Sequence, residues 1–335
     1  MVKFVLLTFA CTLVLVSVES KAEKICPDPV AIEPCTCKME NDDLFLDCSL
    51  VTSEEQLAEI LGQPLPSYDF KSFSIFDNWN LRTIPTGTFG SLTFEEVQLK
   101  GGSIEVIEPG ALLGSVHTLK KLSIFNHELW SFPFEEVELY MQLGSLKFDY
   151  NRLEELPALK SSTLYKLDLS RNPLASVHED VLQGLPNLMA VSFEACELTA
   201  VLPGTFTRLP KLNTVNLYSN NITHIPSGLM ELHGTDSYVY MGINSVATID
   251  VGAILGVSHF FDLDFNDLTE VEEGVWRPML ERGTGIYLVG NPLTCGCDIA
   301  WLIENPRFMS QLDPYAACAN GTLLRDLQPS SFVGC

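Results

Sequence analysis

LYKLDLSRNPL (164–174) and LNTVNLYSNNI (212–222) decide the architecture. In both, apolar side chains stand at offsets 0, 3, 5 and 10, and an asparagine, Asn172 or Asn220, stands at offset 8. Working outward, the same register recurs from Phe70, Phe94, Leu119, Leu143, Leu164, Leu188, Leu212, Asp236, Ser258 and Gly283, at spacings of 24, 25, 24, 21, 24, 24, 24, 22 and 25 residues. A period near 24 predicts a solenoid, in which each unit buries its apolar face only by stacking on its neighbours. The last three units lack an apolar first residue, so their assignment rests mainly on register with their neighbours.

The offsets have a physical meaning. Residues 3 and 5 share one face of a short strand, and parallel pairing of successive strands lines one side of a curved stack. Each inward Leu, Ile, Val or Phe contributes roughly 1.5–3 kcal/mol through burial. At offset 8 the chain turns inward and leaves backbone groups to satisfy, which a side-chain amide does by donating and accepting at once. Asn78, Asn151, Asn172, Asn220, Asn244, Asn266 and Asn291 hold this ladder position, while Gly102, His127 and Cys196 hold it in the other three units. The pattern LxxLxLxxNxL resembles the leucine-rich repeat. It implies an α/β horseshoe solenoid with a parallel concave β-sheet of about ten repeats, over residues 70–290. Phrases such as IPTGTFGSL (from Ile84), VLPGTFTRL (from Val201) and VEEGVWRPML (from Val271) predict an irregular convex side of short helical or 3₁₀ turns.

The ends of the chain fix the compartment. Lys3 followed by the apolar run Phe4–Val18 and small residues reads as a secretory leader over 1–22, with cleavage after Ser20 or Ala22 fitting equally. The run is too short to span a bilayer, and no hydrophobic tail precedes Cys335, so neither a membrane anchor nor a lipid-anchor signal is expected. Cys26, Cys35, Cys37 and Cys48 crowd one end and Cys295, Cys297, Cys318 and Cys335 the other. In a secreted chain each group of four implies two disulfides, with three connectivities open at each end. No histidine falls within either group, which argues against zinc. SEEQLAEIL (53–61) predicts a short helix with Ser53 and Gln56 in a capping relation.

The segment with LFLDCS (44–49) resembles the N-terminal cysteine cap of extracellular leucine-rich repeat proteins, and NPLTCGCDIAWL (291–302) resembles their C-terminal cap. This gives an N-terminal cap over 23–69 and a C-terminal cap over 291–335. The likeness implies the pairs Cys26 with Cys37, Cys35 with Cys48, Cys295 with Cys318 and Cys297 with Cys335. More narrowly, PCTCKMENDDLFLDCS (34–49), the SEEQLAEIL helix, about ten repeats and a single C-terminal cap resemble the arthropod family of the non-catalytic subunit of oplophorus-luciferin 2-monooxygenase. In that family the chemistry belongs to a separate small β-barrel subunit, and the leucine-rich chain accompanies and stabilises it. The resemblance therefore implies no catalytic residue and no cofactor, but a secreted protein partner and a hetero-oligomer.

The residues themselves point the same way. Against 20 Lys and Arg stand 43 Asp and Glu, a formal charge of −23 that repels nucleic acid and anionic membrane surfaces in bulk. No GxSxG, HExxH or phosphate-loop motif is present, and the six histidines show no metal-ligand spacing. DLDFND (262–267) has the alternation of a calcium loop but lacks the glycine and terminal glutamate such a loop needs, and its Leu263 is expected in the core. Cys196 reads as a buried thiol in an asparagine's place rather than a reactive one, and His127 likewise as structural.

Binding remains, and the concave surface can be written down from the register. Its later repeats collect Tyr218, Tyr238, Tyr240, Phe260, Phe265 and Tyr287 beside Asp262 and Asp264. The earlier ones collect Lys100, Lys120, Lys121, Lys147, Lys166 and Arg171 beside Phe76, Phe125 and Tyr150. Aromatic and basic side chains concentrated on one face are the composition of a protein-binding surface. Two sequons, at Asn221 and Asn320, predict N-glycosylation. The functional expectation is a non-catalytic scaffold holding a partner on this face; the alternative is a free-standing recognition protein akin to a soluble Toll-type ectodomain.

Overall fold

The computed structural model describes residues 24–335, so the secretory leader expected over 1–22 lies outside the described residues. Twelve strands form one sheet in chain order. The first two, Thr36–Glu40 and Asp43–Asp47, pair antiparallel, and every later neighbour pairs in parallel out to Gly285–Tyr287. Along each strand burial alternates: Leu167, Val191, Val215 and Val239 are buried, while Lys166, Ala190, Thr214 and Tyr238 on the concave side are partly exposed. The fold is a leucine-rich repeat solenoid.

The three units assigned mainly by register keep it, with Tyr238 paired to Phe260 and Phe260 to Gly285. Hydroxyls replace their missing apolar first residue. Ser237 and Thr284 are fully buried. Ser237 Oγ accepts from Ser258 N at 2.8 Å and Thr284 Oγ1 donates to the Val257 carbonyl at 2.9 Å, so neither is left unpaired.

Six ladder asparagines obey one rule. Asn220 Nδ2 donates to the carbonyl at offset 5 of its own repeat, Leu217, and of the preceding one, Phe193, while Oδ1 accepts from Leu198 N at offset 10 of the preceding repeat. Asn151, Asn172, Asn244, Asn266 and Asn291 repeat this pattern. The exceptions are matched to one another. Gly102 has no room for a side chain, since a Cβ there would run into the Asn78 carbonyl and His127 Cε1. Asn78 Oδ1 therefore accepts from Asn80 and Leu81 of its own repeat, and the larger His127 fills the space beside Gly102 and accepts from Ile104 N through Nδ1 at 3.2 Å. Burial holds the His127 pKa down to about 4, so the imidazole is neutral. Cys196 is free and buried, donates from Sγ to the Leu169 carbonyl at 3.2 Å, and has its pKa pushed up to about 11 by burial. That makes it a ladder residue and a poor nucleophile.

The convex side consists of turns, two 3₁₀ segments at Leu113–Ser115 and Phe134–Leu139, and three two-stranded parallel pairs, with one departure. VEEGVWRPML forms a full α-helix, Glu273–Arg282, which buries Val275, Trp276, Met279 and Leu280 and ends on Gly283 in the left-handed region. Its Trp276 stacks on Phe261 of the sheet, with centroids 6.3 Å apart. Helix Glu54–Gly62 lies where SEEQLAEIL places it. Ser53 Oγ caps Gln56 N, while the Gln56 side chain reaches back to Thr52 N rather than to Ser53.

The parallel stack is covered at each end. Thr36–Glu40 covers one, and the other is covered where Ile286 N donates to the Gln311 carbonyl and Asp313 N to that of Ile286. Disulfides join Cys26 to Cys37 and Cys35 to Cys48 at one end, and Cys295 to Cys318 and Cys297 to Cys335 at the other.

Candidate binding surface on the concave sheet

The parallel register sets side chains of equal offset in rows about 4.8 Å apart. At offset 2 the row runs Ser72, Glu96, Lys121, Ser145, Lys166, Ala190, Thr214, Tyr238, Phe260, Gly285; at offset 4 it runs Ser74, Gln98, Ser123, Lys147, Asp168, Ser192, Asn216, Tyr240, Asp262, Tyr287. Three zones result. Charged residues fill the early repeats, small polar ones the middle, and aromatics the end.

In the charged zone the basic residues have partners. Lys71 and Lys120 share Glu95 at 2.7 and 3.0 Å, Lys121 meets Glu96 at 2.8 Å, and Arg171 meets Glu194 at 3.3 Å. Lys100 lies over Phe125 and Arg171 over Tyr150, at 5.6 and 4.7 Å from the ring centroids. Lys147 and Lys166 are half-buried beside Asp168 and Asp149. This zone is thus mixed in charge, with Lys71, Lys120, Lys121 and Arg171 paired to glutamates of neighbouring strands.

The aromatic zone is built differently. Tyr240 packs on Phe260 at 5.3 Å and Phe260 on Tyr287 at 4.5 Å, while Tyr238 packs on His259 at 4.8 Å. Tyr218 and the Asp262 carboxylate converge over Gly242, where an added Cβ would lie 2.9 Å from each. Phe265 lies across Gly290 and is 57% exposed. Burial raises the pKa of Asp262 and pushes that of Asp264 up to about 6, helped by Asp262 and Asp313 and opposed by the hydrogen bond from Val289 N at 2.7 Å. Asp262 Oδ1 accepts from Asp264 N at 2.9 Å, so these aspartates serve the backbone. Among the described residues no cluster of three His, Cys, Asp or Glu is placed to hold a metal ion.

Sequence reasoning placed Tyr150, Arg171 and Phe265 on this face but missed Ile243 and the backbone conformation that they share. At offset 7, just before the ladder residue, the backbone is left-handed in all ten repeats, from Asp77 to Gly290. Glycine and asparagine adopt this conformation cheaply, whereas a bulky side chain costs roughly 1–2 kcal/mol. Tyr150, Arg171, Ile243 and Phe265 nevertheless occupy it, and Tyr150, Ile243 and Phe265 are 43%, 45% and 57% exposed. These side chains thus take a costly backbone conformation without the return of full burial. Ile243 was invisible in the sequence because an isoleucine next to a strand reads as core. Trp79 and Trp130, exposed beyond the ladder, were overlooked for the same reason.

A cleft of about 610 Å³ lies away from this face, between residues 247–251 and 268–276 on the convex side. Asn221 and Asn320 are both exposed. No helix among the described residues is long and apolar enough to cross a membrane.

No family model matches the chain. Over 312 residues, 92% of its length and 87% of the relative's, it is 38% identical to the non-catalytic subunit of Oplophorus-luciferin 2-monooxygenase from Oplophorus gracilirostris. The chain belongs to that subunit's family. Similarity reaches other leucine-rich repeat proteins over shorter spans. Podocan of Mus musculus is 33% identical over 40% of this chain and 22% of its own, and Tsukushi of Gallus gallus is 25% identical over 61% and 58%. Among solved structures, a chain in the octameric complex of latrophilin 3, Unc5D and FLRT2 superposes with a TM-score of 0.67 at 19% identity, covering 87% of this chain and 97% of that one. The Toll–Spatzle complex gives a TM-score of 0.58 at 17% identity, covering 86% and 51%. These likenesses show the solenoid fold and nothing finer.

Proposed function

We propose that this chain is a secreted, non-catalytic scaffold that binds a separate secreted protein on its concave face, as an accessory subunit stabilising a catalytic partner. A small β-barrel enzyme of the luciferase type is the first partner to test, given the family. The observation that carries the reading is the aromatic zone: Tyr240, Phe260 and Tyr287 pack in a row on the concave side, partly open to solvent, instead of filling the core. Such anchors contribute most of the free energy of protein association. Lys100, Lys121, Lys147, Lys166 and Arg171, with their acidic neighbours, form a polar rim that fixes register rather than affinity. Residues 1–22 serve as the leader, 23–69 and 291–335 as caps and 70–290 as the binding body, with glycans at Asn221 and Asn320 limiting the side from which a partner approaches.

Native mass measurement of the protein from its secreting tissue, with identification of what co-elutes, tests this. A fixed-ratio complex with a smaller secreted protein supports the accessory role. A lone glycosylated chain that captures ligands without a constant companion favours the free-standing recognition protein.

A further inference from the structure

Asp262 stands between Tyr240 and Tyr287 on adjacent strands, and Asp264 follows two residues on. Only 9% of Asp262 is exposed. Of its carboxylate, Oδ1 accepts from Asp264 N while Oδ2 accepts no hydrogen bond; Asp264 likewise uses only Oδ1, toward Val289 N. Tyr218 closes the third side across Gly242, whose missing Cβ leaves room for the ring and the carboxylate to meet. No lysine or arginine among the described residues forms an ion pair with either aspartate, whereas basic residues of the early repeats pair with glutamates across strands. Asp262, buried among three tyrosines, and Asp264, half-buried beside it, lack a counter-ion and combine the two features that recognise a cation: negative charge held in a low dielectric and the electron-rich faces of aromatic rings.

We propose that Tyr218, Tyr240, Asp262, Asp264 and Tyr287 form a receptor for a basic side chain, an arginine presented by the protein partner. The inference rests on the concave face being the partner surface and adds the chemistry of the residue that enters it. Arginine fits better than lysine, because its planar guanidinium can stack on a tyrosine face while its N–H groups reach both carboxylates. Entry of the cation supplies the charge that burial of the aspartates lacks, so the site discriminates by leaving that charge unpaired when the wrong residue enters.

The test uses the full secreted protein labelled with 3-fluorotyrosine and three acetylated, amidated pentapeptides, Gly-Leu-Arg-Leu-Gly and its lysine and citrulline versions. Citrulline keeps the shape of arginine and removes the charge. The expected result is saturable ¹⁹F shifts with the arginine peptide, roughly tenfold weaker binding of the citrulline peptide, and loss of that preference in Asp262→Asn/Asp264→Asn. Equal affinities for the arginine and citrulline peptides, or no shift with any peptide, overturn the proposal, and this comparison on the wild-type chain stands even if the double variant fails to fold. Binding of the native companion by Tyr240→Ala/Tyr287→Ala separates the two failures. An unchanged complex removes the concave surface itself, whereas a weakened complex alongside indifferent peptides removes only the cation receptor.

Discussion

The two ends of the concave sheet handle exposed side chains in opposite ways. In the early repeats Lys71, Lys120, Lys121 and Arg171 meet Glu95, Glu96 and Glu194 across neighbouring strands. In the late repeats Tyr240 packs on Phe260 and Phe260 on Tyr287, while Asp262 and Asp264 accept from backbone amides and have no cationic partner among the described residues. Exposed ion pairs on a surface contribute little, about 0–1 kcal/mol each, and a partner gains little by displacing them. Aromatic rings already stripped of part of their water, on a rigid sheet, cost little to order and offer much area to bury. One end thus has its exposed side chains paired, and the other has apolar area that a partner could bury, as the proposed function requires.

That comparison breaks most visibly at the aromatics. Tyr240→Ala with Tyr287→Ala is expected to weaken partner binding by several kcal/mol in total and to leave the thermal midpoint nearly unchanged. Lys121→Ala with Lys166→Ala should cost no more than about 1 kcal/mol and flatten the salt dependence of association. Affinity measured by interferometry at two salt concentrations decides it, and equal losses in the two double variants would erase the distinction between the ends.

Next in size is the frame that both ends share. Asn220 lies at the junction of the polar and aromatic zones, donating to Phe193 and Leu217 and accepting from Cys196 N and Leu198 N. Asn220→Leu is expected to destabilise by about 1–3 kcal/mol in chemical denaturation, because buried backbone groups lose their partners. A neutral outcome would mean that the ladder does not hold the zones in register.

The repeat frame was legible in the sequence because period, strand alternation and ladder position constrain one another. Once Leu167, Leu169 and Asn172 are placed, Lys166 and Asp168 must point away from the core, and the other concave residues follow by the same count. Even the units opening on Asp236, Ser258 and Gly283 fell into line, although the hydroxyls of Ser237 and Thr284 that complete them carry no apolar signal. Charge balance across strands was less legible. Lys121 and Glu96 are 25 residues apart and become neighbours only through the register. The convex helix Glu273–Arg282 was blurred by Gly274 and Pro278, both poor helix formers, and its cause is tertiary, the docking of Trp276 on Phe261. Backbone strain at Ile243 leaves no trace in sequence at all.

That strain gives a sharper, smaller test. Ile243 sits at φ 52° on the exposed rim of the aromatic end. Asparagine tolerates this conformation, so Ile243→Asn is expected to raise stability by about 1 kcal/mol while weakening partner binding by a similar amount. The matching change at the other end, Tyr150→Asn, should stabilise with little effect on binding. If Ile243→Asn stabilises and binds as before, the isoleucine is not part of the contact surface.

The smallest effect concerns the charge left unpaired at the aromatic end. Burial holds the Asp264 pKa at about 6 in the folded chain, above the value of about 3.9 expected when unfolded. Between those values the folded state binds a proton that the unfolded state has released, so the contribution of this group to stability is present below about pH 4 and is lost as pH rises through 6. Asp264→Asn keeps an acceptor for Val289 N but cannot ionise. The variant should match the parent near pH 4, exceed it modestly at pH 7, and show a flatter stability profile between, the remaining slope coming in part from Asp262. Thermal midpoints across that range measure it. A basic peptide bound at the site should abolish the difference at pH 7, because a cation beside Asp264 restores the preference for the ionised carboxylate. Glu95 at the other end should respond in the opposite sense, since the hydrogen bond from Lys71 holds its carboxyl below the usual range.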